Sequence, residues 1–231
     1  MISLRAANER GHANFGWLNS RHSFSFGQYH DPDHTGYSAL KVINDDIVMP
    51  GAGFETHGHR NMEIISYVLS GAIEHQDSEG NRLVLPAGEF QLMSAGTGIY
   101  HSEHNASREK SLRFLQIWID PDIINTPPGY QQKGFVQGEG LTMVVSPDGR
   151  DGSLQIRQDV FMYRLILPPE ASLNREITPG RKLYLHQVRG ELMLPEAILC
   201  PGDGLKIERQ HDLDIVNNTD QEAEVLLFDL P

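Results

Sequence analysis

The chain of 231 residues contains one cysteine, Cys200. An internal disulfide is therefore excluded, and so is a zinc site built from several thiolates. Cys200 itself reads as a small buried hydrophobe. Basic residues are also scarce: 19 Lys and Arg stand against 31 Asp and Glu, a formal net charge of −12. A surface of that sign repels nucleic-acid phosphates and anionic lipid, so no direct nucleic-acid or membrane partner is expected. No apolar run approaches the ~20 residues a membrane-crossing helix needs. Residues Met1 to Arg10 hold no apolar segment of the kind found in secretory leaders. These absences lead to the expectation of a soluble, cytoplasmic protein, taken as a monomer. Long helical periodicity is missing too, and 22 Gly and 13 Pro argue against it.

What is present is a succession of short apolar runs punctuated by turn residues. Ile64 to Leu69 ends at Ser70-Gly71, and Ala72 to Gln76 ends at the turn Asp77 to Asn81. Arg82 to Leu85 ends at Pro86-Ala87-Gly88, and Phe90 to Met93 ends at Ser94 to Gly98. Ile99 to His101 and Arg113 to Ile119 follow. Strands of four to seven residues at this spacing predict an all-β sandwich or barrel. Asp120 to Gly140, with Pro121, Pro127-Pro128-Gly129 and Gly138, reads as a linker.

The second half echoes the first. Leu183 to Gly190 resembles Ile64 to Gly71, and Cys200 to Ile207 resembles Pro86 to Met93. A duplicated β-barrel is the expected architecture. Offsets from Gly71 carried to Gly190 place Glu176, Thr178 and Lys182 where the first half has His57, His59 and Glu63. The step from Gly88 to His101, repeated from Gly202, lands on Ile215.

Two same-face pairs stand out in the first half. His57 and His59 are spaced i, i+2, and so are His101 and Glu103. On strands, each pair presents both side chains to one side. Two such strands facing each other would aim three imidazoles and a carboxylate at one point, a site for a first-row divalent metal with exchangeable positions left over. The matching positions of the second half, Glu176, Thr178 and Ile215, do not reproduce this ligand set. Glu63 has two readings, a hydrogen-bond partner of a metal-bound histidine or a solvated strand residue. His75 and Asp77 read as polar residues at a hairpin edge. His104 reads as structural or exposed, on the face opposite the four donors. His12, His22, His30 and His34 are irregularly spaced and give no metal signal. Phe54, Phe90, Met93, Ile99 and Trp118 read mostly as core, some of them as candidates to line a pocket for a flat aromatic molecule.

Gly51-Ala-Gly-Phe-Glu-Thr-His57-Gly-His59-Arg-Asn-Met-Glu63 resembles the first cupin motif, and Gly88 to Asn105 resembles the second. Ser94 replaces a usual Pro, four residues separate Gly96 from His101, and seven separate Glu63 from Gly71. These departures, with Ala95-Gly-Thr-Gly-Ile before His101-Ser-Glu103, resemble the pirin family of bicupins. Asn14-Phe-Gly-Trp-Leu18, His22-Ser-Phe-Ser-Phe26 and the closing Leu226 to Pro231 fit it as well.

The resemblance implies two tandem jelly-roll-like β-barrel domains: residues 1–125, a metal-binding cupin domain, and residues 126–231, a cupin domain without metal ligands. It implies His57, His59, His101 and Glu103 as ligands of one divalent transition metal. Iron, Fe(II), comes first; Mn, Ni, Co, Cu and Zn suit the same donors. It leaves Glu63 outside the ligand set. It implies a quercetin 2,3-dioxygenase acting on a flavonol and O2 with release of CO, with Glu103 as the catalytic base. The alternatives are a non-enzymatic, metal- or redox-responsive regulator that binds protein partners, and a housekeeping bicupin with another small substrate.

Overall fold

Ile99, His101, Glu103 and Asn105 are buried, whereas Tyr100, Ser102 and His104 between them are more exposed. This period of two is the signature of a strand with one face on an interior, and it recurs along the chain. The computed structural model describes residues 1–136 and 138–231. Two single-turn 3-10 segments aside, the regular elements among these residues are strands.

In chain order the strands are β1 (Ile2–Arg5), β2 (Gly11–Asn14), β3 (Leu18–His22), β4 (Leu40–Val48), β5 (Gly53–His59) and β6 (Glu63–Ser70). There follow β7 (Ala72–Asp77), β8 (Arg82–Pro86), β9 (Glu89–Ser94), β10 (Ile99–Asn105), β11 (Leu112–Ile119) and β12 (Gly129–Gly134). The remainder are β13 (Gly140–Ser146), β14 (Leu154–Gln155), β15 (Phe161–Leu167), β16 (Ser172–Glu176), β17 (Lys182–Arg189) and β18 (Leu192–Leu194). The last four are β19 (Ala197–Leu199), β20 (Gly204–Ile207), β21 (Asp212–Val216) and β22 (Ala223–Leu230).

The chain forms two compact units. One comprises Gly11–Phe135 with Ile156–Gln158; the other comprises Met1–Arg10, Val136–Gln155 and Asp159–Pro231. Neither is continuous in sequence, so the units differ from a single division after residue 125. Residues 1–10 join the later unit because β1 pairs with β20, and residues 129–134 join the earlier one because β12 pairs with β9. The stretch read as a linker therefore contains an edge strand; Gln137 within it lies outside the described residues.

Each unit has a seven-stranded and a four-stranded sheet; the orders match except at the ends of the larger sheets, where β14 runs parallel to β13 but β2 antiparallel to β3. The earlier unit has β12-β9-β6-β11-β4-β3-β2 and β5-β10-β7-β8. The later has β1-β20-β17-β22-β15-β13-β14 and β16-β21-β18-β19. The sheets are open, with free ends, rather than closed into cylinders. Cys200 is exposed, not buried as expected, because it starts the turn that follows β19.

Asn105 and Asn217 confirm the correspondence. Asn105 Nδ2 donates to the carbonyls of Val48, Met49 and Lys110, and Asn217 Nδ2 donates to those of Leu167, Pro168 and Gln221. Counting along the paired strands from these anchors gives Arg175, Ile177, Leu213 and Ile215 in the places of His57, His59, His101 and Glu103. The sequence offsets were thus one residue out at Glu176 and Thr178 and misassigned Ile215. Three residues separate His59 from Glu63 but four separate Ile177 from Lys182, and the approach from Gly88 to His101 is longer than that from Gly202 to Leu213, so both counts shift. Lys182 does stand in the place of Glu63.

The two interiors differ sharply. The later unit holds one apolar cluster that includes Leu165, Leu185, Leu205, Leu213, Ile215 and Leu227. The earlier unit has Asp46, Ser66, Gln91, His101, Glu103 and Gln116 at those same places. All six are buried. Burying polar groups costs free energy unless each finds a partner, so this interior is paid for by something other than packing.

Candidate metal centre

Strands β5 and β10 run antiparallel, with His57 opposite His101 and Ile99 opposite His59. The pairing slips between His101 and Glu103: Phe54 lies opposite Glu103, so Glu55 and Thr56 together face Ser102. This bulge lets Phe54 and His57, three residues apart, point to one interior; in a regular strand they would point to opposite faces. Gly53 completes the crossing. A Cβ there would meet the Glu103 carbonyl oxygen at 2.4 Å and His104 Cα at 2.5 Å, so only glycine lets the strands approach.

The three histidines form one cluster. Ring centroids are 4.5 Å apart for His57 and His101, 4.8 Å for His57 and His59, and 4.9 Å for His59 and His101. One ring nitrogen from each lies within 4.8 Å of the others. Glu103 forms a second group with His101 and His75, which meets the same limit. The four residues expected at the centre are therefore linked through His101.

Burial and the neighbouring imidazoles keep the His101 and His59 rings neutral. His101 is pushed down to about 3 by burial, then by His57 and His75. His59 is pushed down to about 4 by burial, then by His101 and His57. A neutral imidazole has a lone pair to give to a metal. His57 Nδ1 lies 2.7 Å from the Glu55 carbonyl, which fixes the N–H there and leaves Nε2 for coordination. His101 is 2% exposed, and neither of its ring nitrogens has a hydrogen-bond partner. An imidazole in that condition lacks the pairing that buried polar groups require. A divalent transition metal supplies it, and the donor set suits one.

Glu103 Oε1 accepts hydrogen bonds from Ser66 Oγ at 3.3 Å and Gln91 Nε2 at 3.4 Å. Glu63 matches neither of its two readings. It is buried on β6, where its carboxylate accepts from Ser94 Oγ at 2.8 Å and from the Arg157 N–H at 3.4 Å, and burial pushes its carboxyl up.

Sequence reasoning missed His75. It is wholly buried, its Nε2 lies 3.1 Å from Asp77 Oδ2, and its ring lies 4.7 Å from that of Tyr130. The hairpin-edge reading fails because β7 is an inner strand, paired with β10 on one side and β8 on the other. The available signal was the alternation Ile73-x-His75-x-Asp77, which continues an inward-facing stripe. Asp77 would rise through burial, but hydrogen bonds from Asn81 and His75 hold its carboxyl low.

A cavity of about 700 Å³ reaches His57 and His59 between Trp17, Phe26, Phe54 and Trp118. The Trp118 ring meets His59 edge-on at 5.0 Å. His104 also lines this cavity, beside Glu55. Phe90, Met93 and Ile99 are core residues.

Residues 3–119 match the pirin family, and residues 143–230 match the quercetinase C-terminal cupin domain. The chain belongs to the pirin family. It is 49% identical to the quercetin 2,3-dioxygenase of Escherichia coli K12, over 100% of this chain and 99% of that protein. The pirin fold is shared with the crystal structure of YhhW from Escherichia coli, at a TM-score of 0.98 and 49% identity, covering 100% and 98% of the two chains. A structure of the bacterial pirin YhhW from Escherichia coli in complex with nickel(II) has a TM-score of 0.96 and 48% identity, covering 100% and 99%. Among the described residues of this pirin, no helix is long and apolar enough to cross a membrane.

Proposed function

We propose that this protein is a metal-dependent dioxygenase that opens the heterocyclic ring of quercetin or a related flavonol, with His57, His59, His101 and Glu103 as the metal ligands. The observation that carries the reading is His101: a buried imidazole with both nitrogens unpartnered, grouped with His57 and His59 beside an aromatic-lined cavity. The relatives' names and the nickel(II) complex of YhhW support it. Fe(II) is the first choice of ion, ahead of Mn, Ni, Co, Cu and Zn.

When bound, the ion supplies Lewis acidity toward the flavonol 3-hydroxyl and a path for electrons toward O2. The residues supply the rest. Glu103 takes the proton of the 3-hydroxyl, held for that task by Ser66 and Gln91. Phe54 and Trp118 flank the flat ring system and exclude water. The reaction balances as one flavonol and one O2 giving one depside and one CO. Two ring carbon–carbon bonds break, and both oxygen atoms end in the products.

The test is incubation with quercetin, with and without oxygen, after loading with each ion in turn, while flavonol absorbance and CO are followed. Oxygen-dependent loss of flavonol with an equivalent of CO is expected. Flavonol that persists with every ion would reject the proposal.

A further inference from the structure

Beside the cavity at the histidines lies a second chamber of about 310 Å³. The two share Phe26, Phe54 and Gln116 as common walls. The second chamber runs inward along β4, where Asn44 and Asp46 line it with Ser20 from β3. Asn44 is 2% exposed and Asp46 1% exposed. The Oδ1 atom of each has no hydrogen-bond partner. Gln116 Nε2 reaches the other oxygen of Asp46 at 3.5 Å. Two buried side chains on one strand, two residues apart, therefore line this chamber with no donor on their Oδ1 atoms.

The later unit shows that the fold does not require this arrangement. Tyr163 and Leu165 stand in the places of Asn44 and Asp46, and Leu165 belongs to the apolar cluster. A buried acceptor left unpaired costs about 1–3 kcal/mol, and such groups are rare in folded interiors. Burial also pushes the Asp46 carboxyl up to about 7, against a hydrogen bond from the Ser20 hydroxyl and with Asp45 and Glu103 adding to the rise.

We infer that this chamber is a subsite for the hydroxylated pendant ring of the substrate, with Asn44 Oδ1 and Asp46 Oδ1 accepting from its phenolic hydroxyls. This rests on the flavonol reading and adds to it a demand on substrate structure. A flavonol whose heterocycle lies at the histidines carries its pendant ring on the carbon next to the 3-hydroxyl carbon. Phe26, Phe54 and Gln116, which border both spaces, then lie between the heterocycle and the pendant ring. The chamber selects for phenols bearing donors on that ring, not for flat aromatics in general.

The test is anaerobic equilibrium binding to the nickel-loaded protein, followed by quenching of tryptophan fluorescence, so that no turnover is needed. Three flavonols serve as probes: quercetin with two pendant hydroxyls, kaempferol with one, and galangin with none. Affinity is expected to fall about tenfold for each hydroxyl lost, the scale of one buried hydrogen bond. The Asn44→Leu and Asp46→Leu variants are expected to bind galangin as the wild type does and to lose the preference for quercetin. Equal affinity for all three probes in the wild type would overturn the inference. So would loss of galangin binding in both variants, which would assign the two residues to the framework instead. Graded binding without ring opening in air would leave the subsite standing and reject the dioxygenase reading. Ring opening with no graded binding would do the reverse.

Discussion

His75 Nε2 lies 3.1 Å from Asp77 Oδ2, with both side chains withdrawn from solvent. Asp77 also accepts from the backbone of Glu79 and Asn81 and from the Asn81 amide. The Asp77→Ala variant therefore strands His75 and opens the turn after β7, and it is expected to cost about 2–4 kcal/mol. The His75→Leu variant installs the residue type found at the matching place in the later unit, Leu194, and should cost less than about 1.5 kcal/mol. Urea unfolding of both variants checks the order, and a reversal would refute this account of the pair.

Gly53 sets the distance between the two strands that carry the histidines. The Gly53→Ala variant should force β5 away from β10, at about 1–3 kcal/mol, the usual scale of overpacking. Metal affinity is expected to fall with stability, because His57 and His101 sit on opposite strands. Unchanged metal uptake, measured by calorimetry, would show that the ligand geometry does not depend on this contact.

The histidines and Asp46 pull the pH dependence of stability in opposite directions. Folded His101 and His59 titrate near 3 and 4, below the ordinary 6.5, so they bind fewer protons than the unfolded chain does. Their contribution is highest above about pH 6.5 and is lost as the pH falls toward their folded values. Asp46 titrates near 7, above its ordinary 3.8, and its contribution is lost as the pH rises from about 4 to 7. In the metal-free protein, His101→Leu should lose less stability on acidification than the wild type. Asp46→Leu should lose less on alkalinisation. A single fully shifted group gives a slope of up to about 1.4 kcal/mol per pH unit. Parallel curves for wild type and variants, from urea midpoints between about pH 4 and 8, would show that these groups are not perturbed.

Glu103 has two roles to separate, as a ligand and as a base. Glu103→Gln keeps an oxygen within reach of Ser66 and Gln91 but removes the basic carboxylate. Turnover of quercetin is expected to fall by a factor of about 100 or more, with a much smaller loss of bound metal by elemental analysis. Equal losses of both would leave Glu103 as a ligand only.

Much of this was legible in the sequence, for definite reasons. The strands of the earlier unit showed because Gly and Pro closed each apolar run, as at Gly71 and Pro86. His57, His59 and His101 showed because a spacing of two fixes the face. Asn44, Asp46, Ser66 and Gln91 did not show. Ser66 and Gln91 are each one polar residue inside an apolar run, Asn44 and Asp46 belong to a polar triplet with Asp45, and only the partner strands reveal that they face an interior. The correspondence between halves slipped at β5 because the turn into the next strand is one residue longer in the later unit, Thr178 to Arg181 against Arg60 to Met62, and turn lengths vary freely. Cys200 misled because cysteine is so often buried, whereas its position in a turn depends on Gly202 and Asp203 behind it.

The pairing of β1 with β20 has a practical side. Anyone cutting the gene in two to produce the later unit alone would strip one edge from its larger sheet, and the exposed β20 would invite aggregation. Such a fragment needs the opening ten residues grafted back, for instance by joining them through a short loop to a circularly permuted chain.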